Sequence, residues 1–128
     1  MRVITGTARG KRLTTLEGDQ VRPTSDRVKE GLFNIIQFDI EGRRVLDLFA
    51  GSGQLAVEAL SRGAAQAVLV DKSRKALQVA EENLKSTGLT SRAQAVQMEA
   101  LAYLSTARER FDIVFLDPPY RLGLLQEA

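Results

Sequence analysis

From residue 44 onward, short apolar runs alternate with helix-forming stretches, and each run stops at a glycine turn or a carboxylate. The runs cover residues 45–49, 67–70, 93–98 and 111–116. They give way to Gly51-Ser52-Gly53, Asp71, Glu99 and Asp117-Pro118-Pro119-Tyr120. Near-continuous apolar strands separated by helices build a mainly parallel sheet with helices on both faces, an α/β fold. In such a sheet, ligands bind beyond the carboxyl ends of the strands. Four polar or glycine-rich strand ends on one rim are more than a purely structural sheet requires, so that rim is the candidate site.

The helices of this core have recognisable limits. Residues 55–62 are expected to be helical and to stop at Gly63, and Ser73 is placed to cap the next helix. In that helix Leu77, Ala80 and Leu84 line one face, and Gly88 ends it. Leu101, Leu104 and Ala107 suggest a further short helix. Ahead of the core, residues 2–5 and 11–15 read as two short strands of a hairpin punctuated by Gly6 and Gly10. After Pro23, Thr24 or Ser25 can cap a helix whose apolar face is Val28, Leu32, Ile35 and Ile36. The expected organisation is one domain: a basic hairpin extension (1–22), an amino-terminal helix (23–42) and the first four strands of a core (43–128). Four strands are few for a sheet of this type. The sequence therefore reads as a fragment lacking carboxyl-terminal strands, with a bare sheet edge through which it could associate.

The sequence contains neither Cys nor His. Metal sites built on those ligands and hydrolysis with a His base are excluded. Methylation of a pyrimidine ring carbon, which usually needs a Cys nucleophile, is disfavoured too. Without disulfides a reducing cytoplasm is the expected location, and no apolar run approaches a membrane span. The net charge of +2 is uneven: the first twelve residues hold Arg2, Arg9, Lys11 and Arg12 and no acid. Such a surface suits a phosphate backbone, or it is simply a solvated edge.

The rim motifs carry specific chemistry. Glycines in 51–53 let the backbone turn sharply and approach a ligand, and the turn opens a helix whose free N–H groups favour anionic groups. Asp47, on the strand before it, suits an ammonium or sulfonium centre. Asp71 stands where a carboxylate can accept both hydroxyls of a ribose, or cap the following helix. Glu99 could accept from an adenine amino group, or merely begin a helix. In Asp117-Pro118-Pro119-Tyr120 the prolines stiffen the chain and offer no N–H. The Asp117 carboxylate and the Pro118 carbonyl are then two acceptors for an exocyclic –NH2, and Tyr120 offers a face for stacking a base.

Together these residues resemble a known family. Asp47-x-Phe49-x-Gly51-Ser52-Gly53 is similar to the S-adenosylmethionine (SAM) motif of Rossmann-like methyltransferases. Asp117-Pro118-Pro119-Tyr120 resembles the motif of amino-group methyltransferases. Residues 1–13 and 22–34, with Arg22-Pro23-Thr24-Ser25-Asp26-Arg27, resemble the RsmD family, and the likeness spans essentially all 128 residues. That resemblance implies methyl transfer from SAM, without a metal, to the N2 amino group of a guanine in 16S ribosomal RNA. It implies that Asp47, Phe49 and Gly51–Gly53 hold the methionine part of SAM. Asp71 and Lys72 would lie at the ribose, Glu99 and Ala100 at the adenine, and Thr24 and Arg27 beside the methionine end. Arg9, Lys11, Arg12 and Arg22 would grip RNA, whether free or in the small-subunit particle. Two departures stand out: Glu99 occupies a position where Asp is usual, and family members continue beyond the double proline.

Three other readings compete. Gly51-Ser52-Gly53-Gln54-Leu55-Ala56 fits the G-x-G-x-x-A pattern of nicotinamide enzymes, but that leaves Asp47 and the double proline unexplained. A non-catalytic RNA-binding fragment would keep the basic hairpin without a working SAM pocket. The same amino-group chemistry could also serve DNA adenine N6 or a protein glutamine.

Overall fold

The structure is a computed structural model that describes residues 2–14 and 26–116, with backbone only for Asp26 and Arg27. Its central strand, β1 (Arg44–Asp47), is covered on both faces: Val45 and Leu46 are buried on opposite sides of the sheet. β1 pairs in parallel with β2 (Gln66–Asp71) on one side and with β4 (Ile113–Phe115) on the other. β2 in turn pairs with β3 (Ala93–Gln97), giving the order β3-β2-β1-β4. The connections leave β1 in opposite directions, so a topological switch point opens between the carboxyl ends of β1 and β4.

Period-two alternation divides the core. Val45, Ala67 and Leu69 pack with side chains of α1 (Asp26–Ile36), α2 (Gln54–Ser61) and α3 (Arg74–Ser86). Leu46, Val68 and Val70 pack on the other face against Ala100 and Tyr103 of α4 (Ala100–Thr106). The expected α/β sheet with helices on both faces is therefore present. Ser73 caps α3 as expected, its Oγ accepting from the Ala76 N–H at 3.2 Å. Leu77, Ala80 and Leu84 are buried as predicted.

Three expectations are corrected. The two amino-terminal strands reduce to a single antiparallel bridge, Arg2↔Arg12. The pairing is completed by the Val3 N–H donating to the Lys11 carbonyl and the Gly10 N–H donating to the Val3 carbonyl, both at 2.9 Å. Other amides of the segment turn to α2: the Ile4 and Thr5 N–H groups donate to the Glu58 carboxylate at 2.7 and 3.0 Å. The Thr7 and Ala8 N–H groups donate to the backbone oxygen and Oγ of Ser61, at 2.8 and 3.0 Å. The segment is thus a shortened hairpin, docked on α2 as an arm. At Gly6 (φ +94°) a Cβ would lie 1.8 Å from the Ser61 carbonyl oxygen, so only glycine permits this approach.

The second correction concerns α1. Val28 and Ile35 face solvent, 62% and 80% exposed, while Lys29 and Phe33 are fully buried. Phe33 has two ring partners: Phe115, with centroids 5.5 Å apart, and the Arg62 guanidinium, 4.8 Å from its ring. Lys29 turns inward because Glu58 and the Arg2 carbonyl await its ammonium. The same rotation occurs in α4, where Leu101 and Leu104 are exposed and Ala100 and Tyr103 are buried. Third, β1, β3 and β4 end before their apolar runs do, whereas β2 extends beyond its run at both ends. Leu48 and Phe49 belong to the turn after β1, and β4 holds only Ile113–Phe115.

Candidate active site at the carboxyl ends of the strands

The glycine turn rises directly from β1. It is tied to β2 by the Ala50 N–H donating to the Val70 carbonyl at 3.1 Å. Gly53 (φ +80°) closes the turn against α3, where a Cβ would stand 3.0 Å from the Ala80 Cβ and 3.1 Å from the Leu69 Cδ2. Gly51 (φ +54°) differs: a Cβ there would meet no atom within 4 Å. One glycine serves close packing, and the other faces open space where a ligand can approach.

Asp71 meets this turn. Its Oδ2 accepts from the Gly51 N–H at 3.0 Å, and its Oδ1 accepts from the Ser73 N–H at 2.8 Å. Each carboxylate oxygen keeps acceptor capacity beyond one backbone bond. The residue is half-buried, which leaves it able to receive ligand hydroxyls. Asp47 lies at the end of β1 and is buried, 1% exposed. Phe49 packs with the cluster on the α4 face, and Ser52 is buried within the turn.

Further along the rim, the Met98 N–H donates to the Asp71 carbonyl at 3.1 Å, which joins the ends of β2 and β3. Lys72 and Glu99 are exposed there. Glu99 begins α4 without a side-chain cap bond, and Ala100 behind it is buried. Burial, reinforced by Glu109 and opposed by Arg44, holds the Tyr103 phenol above its ordinary pKa.

β4 approaches the rim beside β1. Phe115 is in register with Asp47, and its carbonyl accepts from the Leu48 N–H at 3.2 Å. The strand that leads toward Asp117 therefore ends next to the glycine turn. Asp117, Pro118, Pro119 and Tyr120 lie outside the described residues, as do Arg22 and Thr24; Arg27 is described only in its backbone. Arg9, Lys11 and Arg12 are exposed on the docked arm, with Arg2. A hollow of about 720 Å³ lies elsewhere, between α3 and β3, lined by Glu82, Lys85, Thr90 and Ala93 among others. Thr90 and Ala93 sit at the amino end of β3, so this hollow is not part of the rim.

A family profile described as conserved hypothetical protein 95 matches residues 1–128. Ribosomal RNA small subunit methyltransferase D of Escherichia coli (strain K12) is 42% identical over 128 residues, covering 100% of this chain and 64% of that protein. YlbH of Bacillus subtilis (strain 168), named as a candidate rRNA methyltransferase, is 47% identical over 94% of this chain and 67% of its own length. The chain belongs to the ribosomal RNA small subunit methyltransferase D family. It spans about two thirds of the length of these curated relatives. The solved structure of yhhF from Escherichia coli, named as a candidate methyltransferase, superposes with a TM-score of 0.84 at 42% identity, covering 99% of this chain and 68% of that one. A Thermus protein of unassigned function superposes at 0.82 with 35% identity, over 99% of this chain and 75% of that one.

In this member of the methyltransferase D family, the residues that sequence reasoning missed hold the arm, the glycine turn and the end of α2 in place. Glu58 is fully buried and bonds the arm, Lys29 at 3.5 Å and Arg62 at 2.8 Å. Asn83, 1% exposed, joins the arm to the glycine turn. Arg92 donates to the carbonyls of Leu60, in the last turn of α2, and Ala64, just after it. Two signals were available. Glu58 is the one charge in an otherwise uncharged helix, and Asn83 falls three and seven residues after Ala80 and Ala76, on the buried face of α3.

Proposed function

We propose that the chain is the SAM-binding part of an RNA methyltransferase that transfers a methyl group to the N2 amino group of a guanine in small-subunit ribosomal RNA. One observation carries this reading. The Asp71 carboxylate, at the carboxyl end of β2, is bonded to the Gly51 amide in the turn that follows β1, on a rim that also receives Asp47. An arrangement of acid, open glycine and buried acid fits a ligand with ribose hydroxyls and a cationic centre. The residues present therefore fit SAM, which when bound supplies a methyl group already activated on sulfonium.

Asp47 and the Gly51–Gly53 turn would hold the methionine part, and Phe49 would back the turn. Asp71, with Lys72 beside it, would bind the ribose, and Glu99 with the Ala100 backbone would face the adenine. Thr24 and Arg27 would complete the methionine end. The Asp117 carboxylate and the Pro118 carbonyl would accept the two N–H bonds of the guanine amino group. Those bonds favour a pyramidal nitrogen and stabilise its developing positive charge. Pro119 would keep the acceptors rigid, and Tyr120 would stack on a base taken out of its helix. Arg9, Lys11, Arg12 and Arg22 would contact phosphates. The proposed organisation is a single methyltransferase domain with the arm as its RNA-facing extension. No helix among the described residues is long and apolar enough to cross a membrane, and the proposed location is the cytoplasm, where the RNA is.

The test is incubation with methyl-labelled SAM and small-subunit particles lacking the modification, followed by mapping of the label. Label on the N2 group of one guanine supports the proposal, and label on adenine N6 or on protein rejects it. In the same assay Asp117→Ala should abolish transfer while SAM binding persists. Near-normal turnover by that variant would remove Asp117 from the mechanism.

A further inference from the structure

Asn83 makes three hydrogen bonds with its side chain, and they connect two parts of the molecule that are distant in sequence. Its Oδ1 accepts from the Thr14 N–H at 2.7 Å. Its Nδ2 donates to the Thr14 carbonyl at 2.8 Å and to the Ser52 carbonyl at 2.8 Å. The amide thus pairs with both backbone groups of one arm residue, as a neighbouring strand would, and spends its other hydrogen on the glycine turn. Only one orientation of the amide satisfies all three partners.

Besides the bond from Lys29 to the Arg2 carbonyl, two anchors hold the arm among the described residues. Residues 4–8 are held by Glu58 and Ser61 in the second half of α2. Thr14 is held by Asn83, beside Ser52 and hence next to the start of α2. Arg9, Lys11 and Arg12 lie between these anchors. Ser52 lies between two glycines at positive φ, so its peptide planes have few steric restraints of their own. The Asn83 bond to the Ser52 carbonyl supplies one. Among the described residues, the Asn83 amide is a side chain that bonds both the arm and the turn.

We propose that Asn83 is a positioning residue that couples occupancy of the basic arm to the conformation of the glycine turn, so that RNA on the arm and SAM at the turn bind cooperatively. The identity of the two ligands rests on the function proposed above; the mechanical link does not. Linkage requires each ligand to tighten the other by the same factor.

The experiment titrates the 128-residue chain with SAM, with and without saturating small-subunit particles lacking the modification, and repeats the titration in the reverse order. The wild-type chain should show a mutual tightening of about fivefold or more. In Asn83→Ala and Asn83→Asp, each ligand should still bind while that factor falls close to one. A variant that merely loses stability would weaken both affinities and keep the factor. An unchanged factor in the variants, or none in the wild type, overturns the proposal.

Failure of the wild type to bind SAM or RNA would reject the functional reading instead. Hydrogen exchange then decides the link. Leu13→Ala, which loosens the arm beside Thr14, should speed exchange of the Gly51 and Gly53 amides in the wild-type background and add nothing in Asn83→Ala. Unchanged exchange in the first background, or an equal effect in both, overturns the coupling. If Asn83→Ala does not fold, the wild-type background alone still tests it.

Discussion

Replacing Glu58 with alanine removes the acceptor of two backbone amides, the counter-charge of a fully buried ammonium and the partner of Arg62 in one step. Lys29 and the Glu58 side chain are both 0% exposed, so water cannot substitute without opening the core. Breaking a buried ion pair from one side costs about 3–5 kcal/mol. A buried donor left without a partner costs about 1–3 kcal/mol. These costs share one carboxylate and overlap, so the expected loss is about 4–6 kcal/mol, a large part of the ~5–15 kcal/mol that typically stabilises a domain. With a urea dependence of about 1–3 kcal/mol per molar, the unfolding midpoint should fall by roughly 1.3 M or more. Far-UV circular dichroism in urea measures it. Lys29→Met placed on the Glu58→Ala background removes the buried ammonium that faced the lost carboxylate and should recover part of the loss. A midpoint for Glu58→Ala within about 0.5 M of wild type, or no recovery in the double variant, would refute the assignment of Glu58 as the arm's anchor.

Gly6→Ala places a methyl group into the Ser61 backbone at a positive φ. It should lower the melting temperature by more than about 5 °C, equivalent to over ~1 kcal/mol, as read by thermal unfolding. Asp71→Asn leaves a side chain with only one acceptor oxygen for two backbone donors and any ligand hydroxyls. Its SAM affinity should drop by about tenfold or more, the equivalent of one charge-assisted hydrogen bond, and calorimetry showing unchanged affinity would remove it from the site. Arg9→Ala, Lys11→Ala and Arg12→Ala together should reduce the slope of log K against log salt for RNA binding by about 2, while leaving the melting temperature nearly unchanged because all three are exposed.

Much of the core could be read from the sequence because its signals are local. The runs that became β1 and β2 are apolar whichever face they present, and Ser73 and the helix glycines act within a few residues. The helix faces were harder. Periodicity in 26–36 selects Val28, Leu32, Ile35 and Ile36; Leu32 and Ile36 do pack against the core, but Val28 and Ile35 are exposed and the structure buries Lys29 and Phe33, whose partners Glu58, Arg62 and Phe115 lie far along the chain. A buried lysine is inexpensive only where a carboxylate and a carbonyl wait for it, and nothing within one turn of helix announces that. The docking of the arm is hidden for a related reason. Gly6 and Gly10 mark a hairpin, and its strands do meet at Arg2↔Arg12, but several of its amides find acceptors on α2 and α3.

What the amino-acid order alone determined is the alternation of strand and helix, the shared rim of polar strand ends, and the residue types available for chemistry. These follow from side-chain periodicity and from backbone preferences that act over a few residues. Tertiary structure decided which helix face turns inward, that the basic segment lies against α2, and that Asn83 joins it to the glycine turn. Those outcomes depend on pairing buried charges and backbone amides across dozens of residues, and such partners exist only once the chain has folded.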